Sequence, residues 1–550
     1  MHVSVSEKKI TTLSNGLLHV TLDEKGRVTS CVYDGTQLVA PAGSWYLSYN
    51  SDRYHELGPA TPAVISHTDE QVEVLYTQDE SPAARWSVGY ILRKDVPGLY
   101  TYVVIEGTDV PEGVGEARLV YRLDDSSFHY GYVCETLRGE MPAPEVIRAA
   151  EKTGKIQDVT FYMPDSTIYT KYNWSAYMRD DHFHGIMSDH IGVWAMSVSR
   201  EYVNGGPAKQ DIMLHSDAKS TLLLQMFQSG HFGAGAPKFE AGMKKIYGPC
   251  FLYVNRGDRP SMVRDARRQA ALQEAAWPFE WFRHDLYPLD RSTVTGTIKI
   301  TNNMPPSPLR VVLAKTGNVY NQGDDYIFWS ETDRHGRFAI PNVRKGTYTL
   351  HAYALGGENT DELVLENIVV NDTKQPLGVI RWAPLKHGTC LWRIGEADRQ
   401  TDGFAMSRAP RDYANAKNAP DTLHYYVGRS RNEEWWYVQP PKSEWTVHFT
   451  CDQLRGDTVY LTGSVAAQSY LPVIKIEVNG MEVGEWVHWE CQTDPSVYRS
   501  ATQGGYHQVM TLAFPARLLH KGENTLVLRM PKLRRRGYGG LMWDCIKMEN

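Results

Sequence analysis

Short runs in which apolar and polar residues alternate recur through the first 255 residues, and a period of two is the mark of a strand with one buried face. LLHVTLDEKGRVTSCVYDG alternates on both sides of a turn at Glu24-Lys25-Gly26, a hairpin pattern. QVEVLYTQ, WSVGYILRKD, LYTYVVIEGTD and ARLVYRLDD follow at roughly the 8–12-residue spacing of antiparallel sandwiches. Ile191–Ser199 and Thr221–Phe227 are almost wholly apolar, which predicts strands buried on both faces. No glycine-rich strand-to-helix turn occurs, which argues against a nucleotide-binding α/β fold. One helix is well signalled. Asp258-Arg259-Pro260-Ser261 starts it, MVRDARRQAALQEAA continues it, and Trp277-Pro278 stops it. It is expected to close the first domain, with Trp277 to Phe282 pinning it to the next.

A chain of 550 residues suggests three or four domains and has ample core to fold without staples. Its 32 Tyr and 15 Trp beside 45 Gly and 29 Pro suit strands, turns and shallow aromatic surfaces. The net charge of −6 argues against a protein that tracks phosphates. No apolar run approaches the ~20 residues of a membrane span, so no integral membrane protein is expected. The start, MHVSVSEKKITTLSNG, lacks the charged and apolar regions of a signal peptide, so the protein is cytoplasmic or its signal has been removed. The seven cysteines are scattered and odd in number, which predicts buried thiols with room for one bridge.

From Pro288 to about Trp382, strands and tight turns alternate, among them the turns Asp333–Gly336 and Lys345-Gly346. This stretch resembles a small seven-stranded sandwich of the carboxypeptidase-regulatory or fibronectin-III type. From about residue 384 onward, TLAFPARLLHKGENTLVLRMPK and the closing GGLMWDCIKMEN resemble the strands of carbohydrate-binding jelly rolls. The basic knot Lys532–Arg536 reads as a solvated loop.

Candidate chemistry is densest between Tyr169 and Glu201. On an extended DHFHGIM, His182 and His184 share a face, and such a pair near carboxylates suits a metal, a structural role or substrate contact. Ser229-Gly230-His231 ends an apolar strand, where a histidine either projects into a cleft or caps the strand. No GxSxG elbow or catalytic cysteine context appears. Paired carboxylates from distant segments remain open. Asn173-Trp174-Ser175 matches a glycosylation sequon.

The order of four blocks, TKYNWSAYMRDDHFHGI, GVWAMSVSREYVNGGPAKQD, QMFQSGHFG and KKIYGPCFLYVN, resembles family 4 rhamnogalacturonan lyases. The resemblance implies an all-β chain of three β-sandwich domains. These are a catalytic supersandwich over 1–286, a fibronectin-III-like module over 287–383 and a carbohydrate-binding-like jelly roll over 384–550. It implies β-elimination at the rhamnose-α-1,4-galacturonate bond of rhamnogalacturonan I. Lys171 corresponds to the family's lysine and His231 to its histidine. We assign Lys171 as base and His231 as acid, the reverse remaining open. Arg118 and Arg122 are expected to neutralise the uronate carboxylate, or else to pair with Asp124, Asp125 or Glu116. His182, His184 and Tyr172 are further substrate-binding candidates. Some relatives carry tyrosines on the strand just before the histidine; here that strand reads Leu222-Leu223-Leu224-Gln225-Met226-Phe227, and Tyr169, Tyr172, Trp174 or Tyr177 is the expected replacement. No cofactor is required for catalysis. Glu396, Asp398 and Asp544 are candidates for a structural calcium. Trp435, Trp436 and Tyr437 form either a sugar platform or a buried cluster. The expected partner is an acidic polysaccharide, with no nucleic acid and no membrane, met by a monomer outside the cell or, alternatively, in the cytoplasm. The rival classes are a glycoside hydrolase and a non-catalytic binding protein.

Overall fold

The computed structural model describes residues 1–79, 84–410, 415–499 and 503–550. These form two compact units: Met1–Gly230 with Ala234–Leu289 and Asn318–Ile327, and His231–Gly233 with Asp290–Gly317 and Phe328–Asn550.

In the first unit the described residues build a ten-stranded and a nine-stranded sheet, both antiparallel. Glu116–Leu123 lies inside the first sheet, between Trp45–Asn50 and Thr221–Ser229, and Leu214–Ser216 follows at the edge. In the second sheet, Gly98–Gly107 is buried on both faces, not on the single face that its alternation suggested. Leu99, Val103 and Ile105 enter the core between the sheets, whereas Tyr100, Tyr102 and Val104 belong to a second core on the far side. Ile191–Met196 divides in the same way, Val193 and Ala195 to one side, Trp194 and Met196 to the other. Burial on both faces removes the polar residues that would mark an exposed face.

The second core is covered by the helix Arg259–Ala276, capped by the Asp258 carboxylate, which accepts from Ser261 N at 2.8 Å. Met262, Ala266 and Ala270, one turn apart, face that core. The aromatic segment after the helix differs from expectation. Phe279 and Trp281 pack on Tyr100, with ring centroids at 5.6 and 4.9 Å, and Tyr100 stacks on Phe251 at 4.3 Å. The segment therefore packs within the first unit, its rings sharing one core with Tyr100 of the nine-stranded sheet and with Met262 and Ala266 of the helix. A second helix, Pro144–Thr153, escaped the sequence reading: it starts on Pro144 with Glu145 in its first turn but has no side-chain N-cap at Ala143.

In the second unit, a three-stranded sheet and a four-stranded sheet span Arg291–Trp382, with a parallel pair between Arg291–Ile300 and Lys374–Trp382. Two five-stranded sheets follow, enclosing Trp435, Trp445, Trp486 and Trp543. All seven cysteines are free thiols, and Cys31, Cys250, Cys451 and Cys545 are buried. No described helix is long and apolar enough to cross a membrane.

Truncating Phe279 to Ala is expected to cost about 3 kcal/mol of stability in urea unfolding, and a cost under about 1 kcal/mol would place the segment outside the core.

Candidate active site

The strand Glu116–Leu123 sorts its residues by parity. Ala117, Leu119, Tyr121 and Leu123 fill the core, so Glu116, Arg118 and Arg122 lie on the opposite face. Cross-strand register then sets Ser48 beside Arg118, and Leu222 followed by His215 beside Arg122. Arg118 Nη2 lies 3.1 Å from Glu116 Oε1, and its Nε donates to Ser48 Oγ at 3.3 Å. Arg122 Nη1 donates to Asp217 Oδ2 at 2.9 Å and to Ser220 Oγ at 3.0 Å. Glu116 was a foreseen partner; Asp217 was not. Both guanidinium groups are largely buried yet keep some exposure.

Lys171 opens the short 3₁₀ turn Lys171–Trp174, where Thr170 Oγ1 accepts from Tyr172 N. Its side chain is only 6% exposed, and Nζ donates to Asp158 Oδ2 at 2.5 Å. Burial pulls the ammonium below its usual pKa; Asp158 pulls the other way, and Arg118 adds to the lowering. Asp158 is 67% exposed, so solvent weakens its hold on the proton. His215, which the sequence reading passed over, belongs to the same electrostatic group. Burial and the Lys171 and Arg118 charges push it down to about 3. It is therefore neutral near pH 7, and with Nδ1 donating to Ser216 O at 3.1 Å, its Nε2 carries the lone pair. Tyr169 ties the two segments together, donating to Ser216 O and accepting from Ser216 N.

Tyr172 is 1% exposed, and its ring centroid lies 5.3 Å from Lys171 Nζ; it supports the lysine and does not meet a polymer. Tyr177 is likewise buried, under Arg179, whereas Tyr169 and Trp174 are half-buried. His184 is 1% exposed, paired through Nδ1 with Asp181 and donating from Nε2 to Leu224 O at 2.7 Å. That burial removes it from direct substrate contact. His182 turns instead to Glu274 at 2.8 Å and to Arg200, so the two histidines do not converge on one point.

His231 follows Ser229, whose backbone is fixed at both polar atoms. Lys209 Nζ and Asn204 Nδ2 donate to Ser229 O at 2.6 and 3.0 Å, and Asn204 Oδ1 accepts from Ser229 N. Asp211 balances Lys209 at 3.3 Å, both side chains being 1% exposed. His231 itself groups with the second unit, where Arg499 Nη1 donates to its carbonyl at 2.8 Å and Ser496 Oγ to that of Phe232 at 3.0 Å. Gly233, at φ +90°, leaves room for the Asp494 carboxylate, which a Cβ would meet at 2.7 Å.

Asp398 and Asp544 lie side by side, Asp398 N donating to Asp544 Oδ1, and burial with mutual repulsion raises Asp398 to about 8; burial raises Asp544 to about 6. Glu396 is engaged elsewhere, by Arg393 and by Gly357 N. Among the described residues no three His, Cys, Asp or Glu side chains are grouped to hold a metal, so the calcium set does not fit this arrangement. Trp435 and Tyr437 are fully buried and Trp436 is partly so; they are core, not a sugar platform.

Residues 3–272 match the family described as Rhamnogalacturonan lyase B, N-terminal; 290–375 match Polysaccharide lyase family 4, domain II; and 390–548 match its domain III. A rhamnogalacturonate lyase of Dickeya dadantii is 31% identical, covering 98% of this chain and 93% of that protein. A probable rhamnogalacturonate lyase C of Aspergillus oryzae is 25% identical, covering 89% and 80%. A probable rhamnogalacturonate lyase B of Aspergillus terreus is 23% identical, covering 97% and 93%. These matches, spread over the β-sandwiches of both units, mark the chain as a polysaccharide lyase. The chain belongs to polysaccharide lyase family 4.

The His215 ring should not titrate between pH 8 and 5 in NMR of histidine-labelled protein; a midpoint within that range would remove it from the influence of Lys171 and Arg118.

Proposed function

We propose that this protein is a rhamnogalacturonan lyase, cleaving the rhamnose-α-1,4-galacturonate bond of rhamnogalacturonan I by β-elimination. The observation that carries the reading is Lys171, an amine held almost out of water with its proton affinity lowered beside Arg118. Elimination removes the C5 proton of galacturonate, whose carboxylate makes the resulting carbanion costly. Arg118 and Arg122 offset that charge, and a guanidinium fork also orients a carboxylate. Lys171 Nζ takes the C5 proton, the C4–O4 bond breaks, and a C4=C5 double bond forms. His231 gives a proton to the departing O4, a task suited to imidazole near neutral pH. The products are a new rhamnose reducing end and an unsaturated galacturonate at the new non-reducing end.

Arg118 is paired with Glu116, as the alternative expectation had it, and Arg122 with Asp217, so a substrate role requires that these pairs open. A uronate entering the face competes with Glu116 and Asp217 for guanidinium N–H groups, so binding exchanges one carboxylate for another rather than desolvating a bare cation. The reading includes a monomer acting outside the cell, where so large a polymer is met, and it asks no metal of the chemistry.

Purified rhamnogalacturonan I should give rising absorbance at about 235 nm, the signature of the unsaturated uronate that elimination leaves. New reducing ends without that absorbance would mean hydrolysis, and neither signal would mean binding alone. EDTA should leave the rate unchanged. Lys171→Ala and His231→Ala should each lose about 10²–10⁴-fold in kcat. Near-normal turnover in either variant removes the role assigned to it. Asp158→Asn removes a group that raises the lysine's pKa. Because the deprotonated amine is the active form, the acidic limb of the kcat/KM profile should move to lower pH, by about one unit. An unmoved or upward-shifted limb contradicts Lys171 as base.

A further inference from the structure

The C-terminal sandwich carries a second polar surface, remote in sequence from Arg118, Arg122, Lys171 and His231. In the sheet containing Thr422–Tyr426, Ser443–Cys451 and Gly522–Leu533, Tyr425, Val447, Phe449 and Leu526 face the core. Period two therefore turns Tyr426, His448, Thr450 and Glu523 outward. Tyr426 and His448 are register partners across a parallel pair, and their rings stack with centroids 4.4 Å apart and planes 10° apart. His424 braces the stack from the same strand as Tyr426, its Nδ1 lying 3.0 Å from His448 Nε2. The turn after Tyr426 is closed by Arg429 N and Ser430 N donating to Tyr426 O. A pocket of about 360 Å³ opens over this stack, lined also by Arg429, Thr450 and Glu523.

We propose that this pocket binds one neutral pyranose unit of the polysaccharide, an inference that rests on the function proposed above. Tyr426 is 42% exposed although a sheet register and the stacked His448 ring, itself braced by His424, hold its ring in place. A large ring fixed at the surface costs little ordering entropy when a ligand lands on it. Its free face suits the apolar C–H side of a sugar ring. Arg429 supplies donors and Glu523 an acceptor, matching hydroxyl groups that both give and take hydrogen bonds. The volume falls in the range of small-ligand sites. Charge selects the kind of sugar. Glu523 lines the pocket together with Arg429 and acts electrostatically on His448, so a uronate drawn to Arg429 over this stack would also face the Glu523 carboxylate. A neutral sugar meets no such repulsion. A weak second site on the same chain raises the local concentration of polymer at the enzyme without any new catalytic contact.

Isothermal titration calorimetry of the full-length protein with β-1,4-galactotetraose, and separately with tetragalacturonate, tests this. Galactotetraose should bind, and Tyr426→Ala should weaken it at least tenfold with unchanged melting temperature. Glu523→Gln should weaken it in the same direction, while turnover on short unbranched substrate stays at the wild-type level in both variants. Equal affinity in wild type and Tyr426→Ala overturns the proposal, as do absent galactotetraose binding and a preference for tetragalacturonate. The titration does not depend on turnover, so a failure of the lyase reading appears in the absorbance assay and a failure of this site in the calorimeter.

Discussion

The parity of the strand Glu116–Leu123 is the constraint on which the site depends. Leu119, Tyr121 and Leu123 are anchored among the core residues between the two sheets, and that anchoring sets the direction of every intervening side chain. A slip of one residue would bury Arg118 and Arg122 in the core and expose a tyrosine and three apolar residues, an exchange far too costly to tolerate. Hydrophobic burial on one face thus specifies the cations on the other. The same register extends sideways to Leu222 and His215, so one packing decision places side chains from three strands.

Around that face the protein manages charge locally, not through its overall acidity. Arg118 has Glu116, Arg122 has Asp217 and Lys171 has Asp158, each cation leaning on one carboxylate. The pairings are unequal in burial. Asp158 is mostly in solvent while Lys171 is not, and this inequality is what leaves the amine below its usual proton affinity despite a short hydrogen bond. A fully buried carboxylate would have locked the proton on nitrogen. His215 remains neutral chiefly because burial disfavours its charged form, and the Lys171 and Arg118 charges add to that.

Much of the fold was legible because period two survives in sequence. The hairpins of the first sheet and the capped helix Arg259–Ala276 could be found by eye, whereas Lys171, Arg118 and Arg122 were reached through the family resemblance. What was hidden shares a physical cause. Burial from two sides erases polarity, so the fate of Trp277–Phe282 and of Trp435–Tyr437 could not be told from aromatic content. A strand with two buried faces and a sugar platform look alike until register is known. Tyr426 and His448 lie 22 positions apart and become a pair only through parallel strand pairing, which leaves no local mark. His182 and His184 illustrate the converse: spacing that suits a shared ligand is overruled when the chain departs from an extended path before His184.

The buried ion pairs give the last step. Charged pairs removed from water rarely add stability over an apolar replacement, so their presence asks for another reason. Lys209 with Asp211 and His184 with Asp181 both end on carbonyls of one strand, at Ser229 and at Leu224. That strand lies against Arg118 and Arg122 on one edge and runs directly into Gly230 and His231. Apolar packing alone lets a strand end fray; a charged donor on a carbonyl is directional and fixes both position and tilt. The two pairs therefore hold the strand along its length, trading stability for a rigid support beneath the arginines and ahead of the histidine. The polar groups that look most like ligands in the sequence are in this way supports of the strand behind Arg118 and Arg122.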